Sequence, residues 1–193
     1  MESFMNYMGD STWWRDRFKS RKLEIIGHER CLEEDMSYFP LKGKILDVAC
    51  GDGRNSIYLA RLGYEVLAVD FCEEAINRLT YFANRENLSI RTRIVDLSQD
   101  RLNTLKEKFD AIIINHYKPT PRLLKEFEDI QNKNGLLWVN GFRTIPFDNP
   151  DVKESDIMLD EEFELLDKNI LLDRKFYEIN QREFVRYIWR IQL

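Results

Sequence analysis

A glycine-rich stretch, "ILDVACGDGRN" from Ile45 to Asn55, places a carboxylate, Asp47, directly before a turn. Gly51 and Gly53 lack a Cβ, so the backbone can turn sharply there and approach a ligand closely. Turns of this kind usually bind phosphate through the free N–H groups of the helix that follows. A carboxylate about 4 Å from a phosphate would cost about 4 kcal/mol at an effective dielectric constant near 20. The stretch therefore favours a ligand with positive charge near the turn.

Two further aspartates, Asp70 and Asp96, end later apolar segments of the chain. In open α/β sheets, ligands bind beyond the carboxyl ends of the strands. Asp70 has the spacing from the glycines that suits an acceptor for two ribose hydroxyls. We also expect this carboxylate, at the end of a strand, to contribute little to packing. Asp96 is a candidate acceptor for the adenine amine, with Leu97 beside the ring. These features predict S-adenosylmethionine as the cofactor, with its ammonium and sulfonium near Asp47.

Two other interpretations remain open. An NAD-dependent oxidoreductase would carry the fingerprint G-x-G-x-x-G, but Ser56 stands at the position of the third glycine and Asp47 would repel the pyrophosphate. A non-catalytic protein that binds S-adenosylmethionine would keep the cofactor site without a productive acceptor pocket. Turnover of the cofactor with any acceptor separates this second alternative from an enzyme.

The composition fits one globular domain. The chain has 193 residues, of which 44% are hydrophobic and 33% charged, with a net charge of −5. The absence of a basic stripe argues against nucleic acid as a partner. Three separated cysteines, no CxxC pair and two histidines argue against a disulfide framework and a metal site. Because the sequence has neither a signal-peptide pattern nor roughly 18 consecutive apolar residues, we expect a cytoplasmic protein that binds no membrane.

Apolar segments with strand and helix periodicity alternate along the chain. The predicted strands are residues 44–49, 64–70, 89–96, 109–115 and 135–141, then 169–179 and 183–193 around a turn at Asn180–Gln181. The predicted helices are residues 54–62 before a left-handed Gly63, residues around 75–83, a helix capped by Thr120 with Pro121 at its first position, and a short helix capped by Asp160. This alternation predicts a mostly parallel sheet covered on both faces, with an antiparallel strand from the terminal hairpin.

Residues 1–40 precede the first predicted core strand. They carry Trp13, Trp14 and Phe18 on one helical segment. Two adjacent tryptophans cannot both face one helix interior, so at least one is expected to be exposed or to contact a ligand. We interpret this segment as an N-terminal helical cap or lid on a core formed by residues 41–193; a plain packing helix is the alternative.

The stretch "LDVACGDGRNSIYLARLGYEVLAVDFCEEAI" from Leu46 to Ile76 resembles the class I S-adenosylmethionine-dependent methyltransferases of small molecules. The resemblance is strongest to the tellurite-resistance (TehB-like) subgroup, whose members read close to "LDLGCGxGRNSLYLAxxGYxVxAxD". It implies a Rossmann-like three-layer αβα sandwich. The implied sheet has seven strands in the order 3-2-1-4-5-7-6 with the last strand antiparallel. It also implies a small-molecule substrate, and we expect a monomer or homodimer.

The residue pattern and the resemblance together predict a set of cofactor-binding residues: Trp14, Asp47, Ala49, Cys50, Gly51, Gly53, Asn55, Asp70, Phe71, Asp96, Leu97 and Asn115. Ala49 departs from the family, which has glycine there, whereas Cys50 is the usual residue and is expected to pack rather than to act as a nucleophile.

Acceptor chemistry is predicted at "NHYKPTP", residues 115–121, since the reacting substrate atom lies at this strand end in the family. This segment differs from the N-P-P-[FY] motif of the methyltransferases that modify amino groups of nucleic acids. His116 and Tyr117 are the candidate catalytic residues, as a general base or as groups that orient the substrate. A structural role for His116 is the alternative, and methyl transfer to a thiolate requires no base.

Overall fold

The computed structural model of the protein describes residues 10–192. Residues 1–9, which the lid hypothesis includes, lie outside the described residues. The strands are β1 (Lys44–Val48), β2 (Glu65–Asp70), β3 (Ile90–Ile94), β4 (Phe109–Asn115), β5 (Gln131–Phe142), β6 (Ile170–Ile179) and β7 (Arg182–Arg190). The α-helices are α1 (Ser11–Ser20), α2 (Arg30–Glu34), α3 (Arg54–Arg61), α4 (Glu73–Arg85) and α5 (Pro121–Ile130).

All seven strands form one sheet in the order β3-β2-β1-β4-β5-β7-β6. The pairs among β1 to β5 are parallel, and β7 is antiparallel to both β5 and β6. The predicted order and the antiparallel last strand are therefore confirmed. The hairpin between β6 and β7 turns at Asn180 and Gln181, both with left-handed backbone (φ 51° and 62°), as a two-residue turn requires.

Alternate residues of the central strands face opposite layers. Leu46 and Ile112 pack in a cluster with Phe127 of α5, whereas Ile45 and Ile113 pack on the other face with residues of α2 and α3. Since both faces are covered, the central strands read as nearly continuous apolar runs rather than as an alternation. The arrangement is the predicted three-layer αβα sandwich.

Several element boundaries differ from those predicted. The strand β5 begins at Gln131 instead of Gly135, because Gln131 pairs with Phe109 across an irregularity in the register between Phe109 and Ala111. The predicted cap at Asp160 is wrong: residues Asp160–Leu166 form 3-10 turns, and Leu159 occupies the cap position. Thr120 does cap α5, with its Oγ1 accepting from the backbone N–H of Leu123 at 3.2 Å.

A buried ion pair fixes the end of the N-terminal segment to the sheet. Asp35 Oδ2 lies 2.7 Å from Nε of Arg186 on β7 and accepts from the indole N–H of Trp138 on β5 at 2.8 Å. Cys31 and Leu32 of α2 are buried in the same layer. Residues 31–39 thus share the core, which narrows the lid hypothesis to α1 and the segment that follows it.

No helix among residues 10–192 has the length and apolar character that crossing a membrane requires.

Gly53→Ala and Gly63→Ala form a matched pair that measures how tightly the turn after β1 packs. Both glycines have left-handed backbone (φ 82° and 91°), so alanine costs about 1–2 kcal/mol at either position. A Cβ at Gly53 would lie 2.1 Å from Cδ1 of Leu79 on α4, whereas a Cβ at Gly63 would meet nothing within 4 Å. We expect Gly53→Ala to lower the free energy of unfolding by about 1–3 kcal/mol more than Gly63→Ala, as measured by urea denaturation. Equal losses would contradict close packing of the turn on α4.

Candidate active site

The turn between β1 and α3 has left-handed backbone at three of its residues. Ala49, Gly51 and Gly53 have φ values of 54°, 57° and 82°. Left-handed backbone costs about 1–2 kcal/mol for a residue with a Cβ, so Ala49 keeps at some cost the conformation that glycine would adopt freely. Alanine at this position therefore does not prevent the left-handed path of the turn.

Asp70, at the end of β2, holds this turn in place. Its Oδ2 accepts from the N–H of Gly51 at 2.8 Å, and its Oδ1 accepts from the N–H of Cys72 at 2.9 Å. The side chain is buried, and this burial raises its pKa. The expectation that Asp70 carries little packing is wrong, because the side chain is buried and its carboxylate joins the ends of β1 and β2 to the start of α4. Each oxygen keeps a second lone pair that could accept from a ribose hydroxyl.

Asp47 lies beneath the turn and is fully buried. The Ser56 hydroxyl, on the first turn of α3, donates to Asp47 Oδ2 at 2.6 Å. Burial raises the pKa of Asp47 to about 7; the Ser56 hydrogen bond opposes this rise and the negative charge of Asp70 adds to it. Ser56, at the position of the missing third glycine, is thus the partner of this carboxylate.

Asp96 and Leu97 follow β3 at the same edge of the sheet. Asp96 is half-buried, and its Oδ1 accepts from the N–H of Ser98 at 2.9 Å, while its Oδ2 accepts from the amide of Gln99 at 2.8 Å. Leu97 is buried, whereas Phe71, next to Asp70, is 39% exposed. A backbone hydrogen bond of 3.0 Å from Val95 to the Asp70 carbonyl brings the ends of β2 and β3 together.

Cys50 is half-buried within the turn, and its thiol donates to the carbonyl of Gly51 at 3.4 Å. Burial raises the pKa of the Cys50 thiol well above its ordinary value, and the charges of Asp70 and Asp47 raise it further. The thiol is therefore protonated at neutral pH, in keeping with the packing role expected for it.

The end of β4 carries the predicted acceptor residues. His116 has left-handed backbone (φ 56°), and its N–H donates to the carbonyl of Asn140 at 2.7 Å. Its ring lies against Phe142 and Phe184, with ring centroids 5.1 and 5.4 Å away. Tyr117 is half-buried and packs on the main core cluster. Strained backbone of this kind concentrates at functional sites, so the geometry of His116 supports its candidacy more than that of Tyr117.

Glu29, in the segment before α2, is the central site residue that the sequence reasoning missed. Its Oε2 accepts from Nη2 of Arg54 at 2.8 Å and lies 3.2 Å from Nε2 of His116 and 3.5 Å from Nδ2 of Asn115. Its backbone N–H donates to Oδ1 of Asn55 at 2.9 Å. No local pattern marks Glu29 among the neighbouring acids, because its partners are at least 25 residues away along the chain.

The hydrogen bonds continue from Asn115 across the sheet. Asn140 on β5 donates to Oδ1 of Asn115 at 2.8 Å, and the hydroxyl of Tyr177 on β6 donates to Oδ1 of Asn140 at 2.8 Å. Asn115 and Asn55 are two of the predicted cofactor-binding residues. Their side-chain amides instead form hydrogen bonds that orient the groups around Glu29. The missed residues Asn140 and Tyr177 complete this network.

The helix α1 lies over the glycine turn. Phe18 is buried, and its ring lies 3.4 Å from where a Cβ of Gly51 would stand. Trp14 is half-buried and stacks on Phe18 with ring centroids 5.8 Å apart. After α1, Arg21 donates to both carboxylate oxygens of Asp52 in the turn at 3.1 Å. The structure therefore holds the N-terminal segment directly on the predicted cofactor site.

Comparison with known proteins agrees with this arrangement. The family model described as "Tellurite resistance protein TehB" matches residues 19–118. A probable S-adenosyl-L-methionine-dependent methyltransferase TehB from Haemophilus influenzae is 33% identical over 159 residues, covering 69% of this chain and 54% of the relative. The chain thus spans about half the length of the curated relative it matches.

Two solved structures share the fold. The crystal structure of TehB from Haemophilus influenzae has a TM-score of 0.69 and 22% identity, covering 93% of this chain and 67% of that chain. A TehB-like SAM-dependent methyltransferase from Corynebacterium glutamicum has a TM-score of 0.62 and 18% identity, covering 94% of this chain and 96% of that chain. With the family model matching more than half of the residues and the sheet order as described, the chain belongs to the TehB family.

Proposed function

We propose that the protein is an S-adenosylmethionine-dependent methyltransferase that acts on a small molecule. The observation that carries the proposal is the left-handed turn after β1, which Asp70 holds through the N–H of Gly51 and which covers the buried carboxylate of Asp47. A cationic amino acid ligand complements that carboxylate, whereas a dinucleotide pyrophosphate would face its charge. The names of the TehB relatives point to the same donor.

The donor-binding residues have separate parts in this proposal. Asp47 faces the α-ammonium, and the N-terminus of α3 supplies N–H groups for the carboxylate. Asp70 accepts from the ribose hydroxyls, while Asp96 and Leu97 border the adenine. When bound, S-adenosylmethionine supplies a methyl group on a sulfonium, and the residues at the end of β4 position the acceptor in line with it.

The proposal extends to partners and location. A net charge of −5 and the absence of a basic stripe in the sequence support a small-molecule acceptor rather than nucleic acid. We expect a monomer or homodimer in the cytoplasm. The family name alone does not make tellurium compounds the acceptor, because function depends on the site and not on the fold.

Titration calorimetry with S-adenosylhomocysteine and NADH tests the donor. We expect S-adenosylhomocysteine to bind and NADH not to bind.

Asp70→Ala should weaken the binding of S-adenosylhomocysteine by roughly 10–150-fold, because it removes charge-assisted hydrogen bonds worth about 1.5–3 kcal/mol. It should also lower the free energy of unfolding, since two buried N–H groups lose their acceptor. Unchanged affinity in folded Asp70→Ala would contradict the proposed binding of the ribose by Asp70.

Turnover distinguishes an enzyme from a protein that only binds the donor. We expect S-adenosylmethionine to be converted to S-adenosylhomocysteine in the presence of some thiol, hydroxyl compound, amine or oxyanion.

The affinity for S-adenosylhomocysteine should rise with pH through about 7. In the free protein, burial raises the pKa of Asp47 to about 7, and a bound ammonium favours the carboxylate, so binding displaces the proton. The charges that act on Asp47 are those of Asp70 and Arg54. We expect about tenfold weaker binding at pH 6 than at pH 8. Asp47→Asn keeps an acceptor for Ser56 but removes the titration. A similar pH dependence in this variant would assign the effect to another group.

Tryptophan fluorescence tests the lid. If α1 shifts when ligand enters beneath it, the environment of Trp14 changes, and adding S-adenosylhomocysteine should alter the emission. The change should vanish in the double variant Trp13→Phe/Trp14→Phe, which removes both indoles of α1, and persist in Trp189→Phe, which removes a buried indole on β7. A response that persists in the double variant and is lost in Trp189→Phe would show that the motion lies elsewhere.

A further inference from the structure

The two ring nitrogens of His116 have different surroundings. Nε2 lies 3.2 Å from Oε2 of Glu29, whereas Nδ1 is buried and has no hydrogen-bond partner. The His116 side chain as a whole is one-quarter exposed, but the exposed part does not include Nδ1, so a substrate reaches Nδ1 only when the side chains packed on the ring move aside. A buried nitrogen without a partner is unusual in a native protein and calls for an explanation.

The surroundings of Glu29 decide which nitrogen of His116 carries the proton. Its Oε2 already accepts from the guanidinium of Arg54 at 2.8 Å, and the Asn115 amide approaches it at 3.5 Å. Burial alone would raise the pKa of Glu29, but the hydrogen bonds from His116 and Asn115 and the positive charge of Arg54 lower it. An ionised carboxylate only accepts hydrogen bonds. Nε2 of His116 must therefore be the donor, which leaves the lone pair of the neutral ring on Nδ1.

The pair is held rigidly from both sides. The backbone N–H of Glu29 donates to Asn55 Oδ1 at 2.9 Å, which joins the N-terminal segment to α3. His116 is fixed by its left-handed backbone and by the bond from its N–H to Asn140. Two kinds of group surround the ring of His116. One is the carboxylate of Glu29, which also binds Arg54, and the other is the aromatic side chains of Phe142 on β5 and Phe184 on β7.

We propose that Glu29 is a positioning residue that makes Nδ1 of His116 the proton acceptor for the incoming substrate. This inference rests on the proposed methyltransferase function and narrows its acceptor class. A base is needed only when the nucleophilic atom still carries a proton at the working pH. The favoured acceptors are thus small molecules whose nucleophilic atom carries a proton, such as thiols and hydroxyl compounds, rather than oxyanions that are already ionised.

The proposed step balances as follows. The lone pair of the acceptor sulfur or oxygen forms a bond to the methyl carbon. The bond from that carbon to the sulfonium sulfur breaks, and its electron pair stays on the sulfur. The proton of the thiol or hydroxyl passes to Nδ1 of His116, and the charge of Glu29 stabilises the resulting imidazolium. The proton then leaves to solvent when the products dissociate.

Nitrogen-15 NMR of the full chain tests the proton position without any substrate. The sequence has only two histidines, so His28→Gln assigns the remaining ring signals to His116. We expect the neutral His116 ring to carry its proton on Nε2, with Nδ1 unprotonated. A proton on Nδ1 would overturn the proposal, whatever the activity of the enzyme.

Glu29→Gln tests the role of the carboxylate during turnover, at pH 7.5, with two thiols of different acidity. 2-Mercaptoethanol is mostly protonated at this pH, whereas 4-nitrothiophenol is ionised. We expect Glu29→Gln to lower kcat about 100-fold with 2-mercaptoethanol and to leave kcat with 4-nitrothiophenol within about threefold. The matched control is Glu33→Gln, which removes a carboxylate 3.1 Å from Nε2 of the other histidine, His28, and should change neither rate.

The outcomes separate this proposal from the proposed function. Equal losses with both thiols in Glu29→Gln would mean a structural role for Glu29 and would overturn the positioning role alone. A wild-type enzyme that methylates oxyanions but neither thiols nor hydroxyl compounds would overturn the acceptor class. Failure of the wild-type protein to transfer methyl groups to every acceptor would overturn the proposed function, while the NMR result still decides the tautomer.

Discussion

The Asp70 carboxylate is the interaction on which the geometry of the site depends. It binds the N–H of Gly51 in the turn after β1 and the N–H of Cys72 before α4. The bond to Gly51 joins the turn after β1 to the end of β2, and the bond to Cys72 joins the end of β2 to the start of α4. Because the left-handed turn has little regular structure of its own, its path depends on the Asp70 bond together with the contacts of Asp47 with Ser56 and of Asp52 with Arg21. The same oxygens then offer their remaining lone pairs to the proposed ribose.

Burying two carboxylates near each other is costly. Burial raises the pKa of both Asp47 and Asp70; the charge of Asp70 adds to the rise at Asp47, and the charge of Asp52 adds to the rise at Asp70. Ser56 and backbone N–H groups offset part of the cost. A ligand that brings a fixed positive charge would offset more of it. The site is thus arranged so that ligand charge and protein protonation compensate each other.

Most elements could be predicted because local patterns encode them, whereas the sheet order was implied by the resemblance to the family. Apolar strand segments, the Thr120–Pro121 helix start and the Asn180–Gln181 turn each lie within a few residues of sequence. The aspartates of the site were also visible, since each lies at or near the carboxyl end of a strand. What could not be predicted is how they are used: the structural role of Asp70, and the partnership of Asp47 with Ser56, require the folded backbone. Glu29 was hidden altogether, because its partners lie on α3 and β4.

The N-terminal segment links the donor site and the acceptor site. Through Phe18 and Arg21 it rests on the glycine turn, and through Glu29 it reaches His116 at the end of β4. Fewer than ten residues separate Arg21 from Glu29, so a shift of α1 cannot be fully independent of the carboxylate that orients the histidine. At one end of this connection, Asp52 and Arg78 hold Arg21. At the other end, Asn55 and Arg54 hold Glu29. Covering the donor and aligning the base would then be one event, since the same stretch of chain performs both.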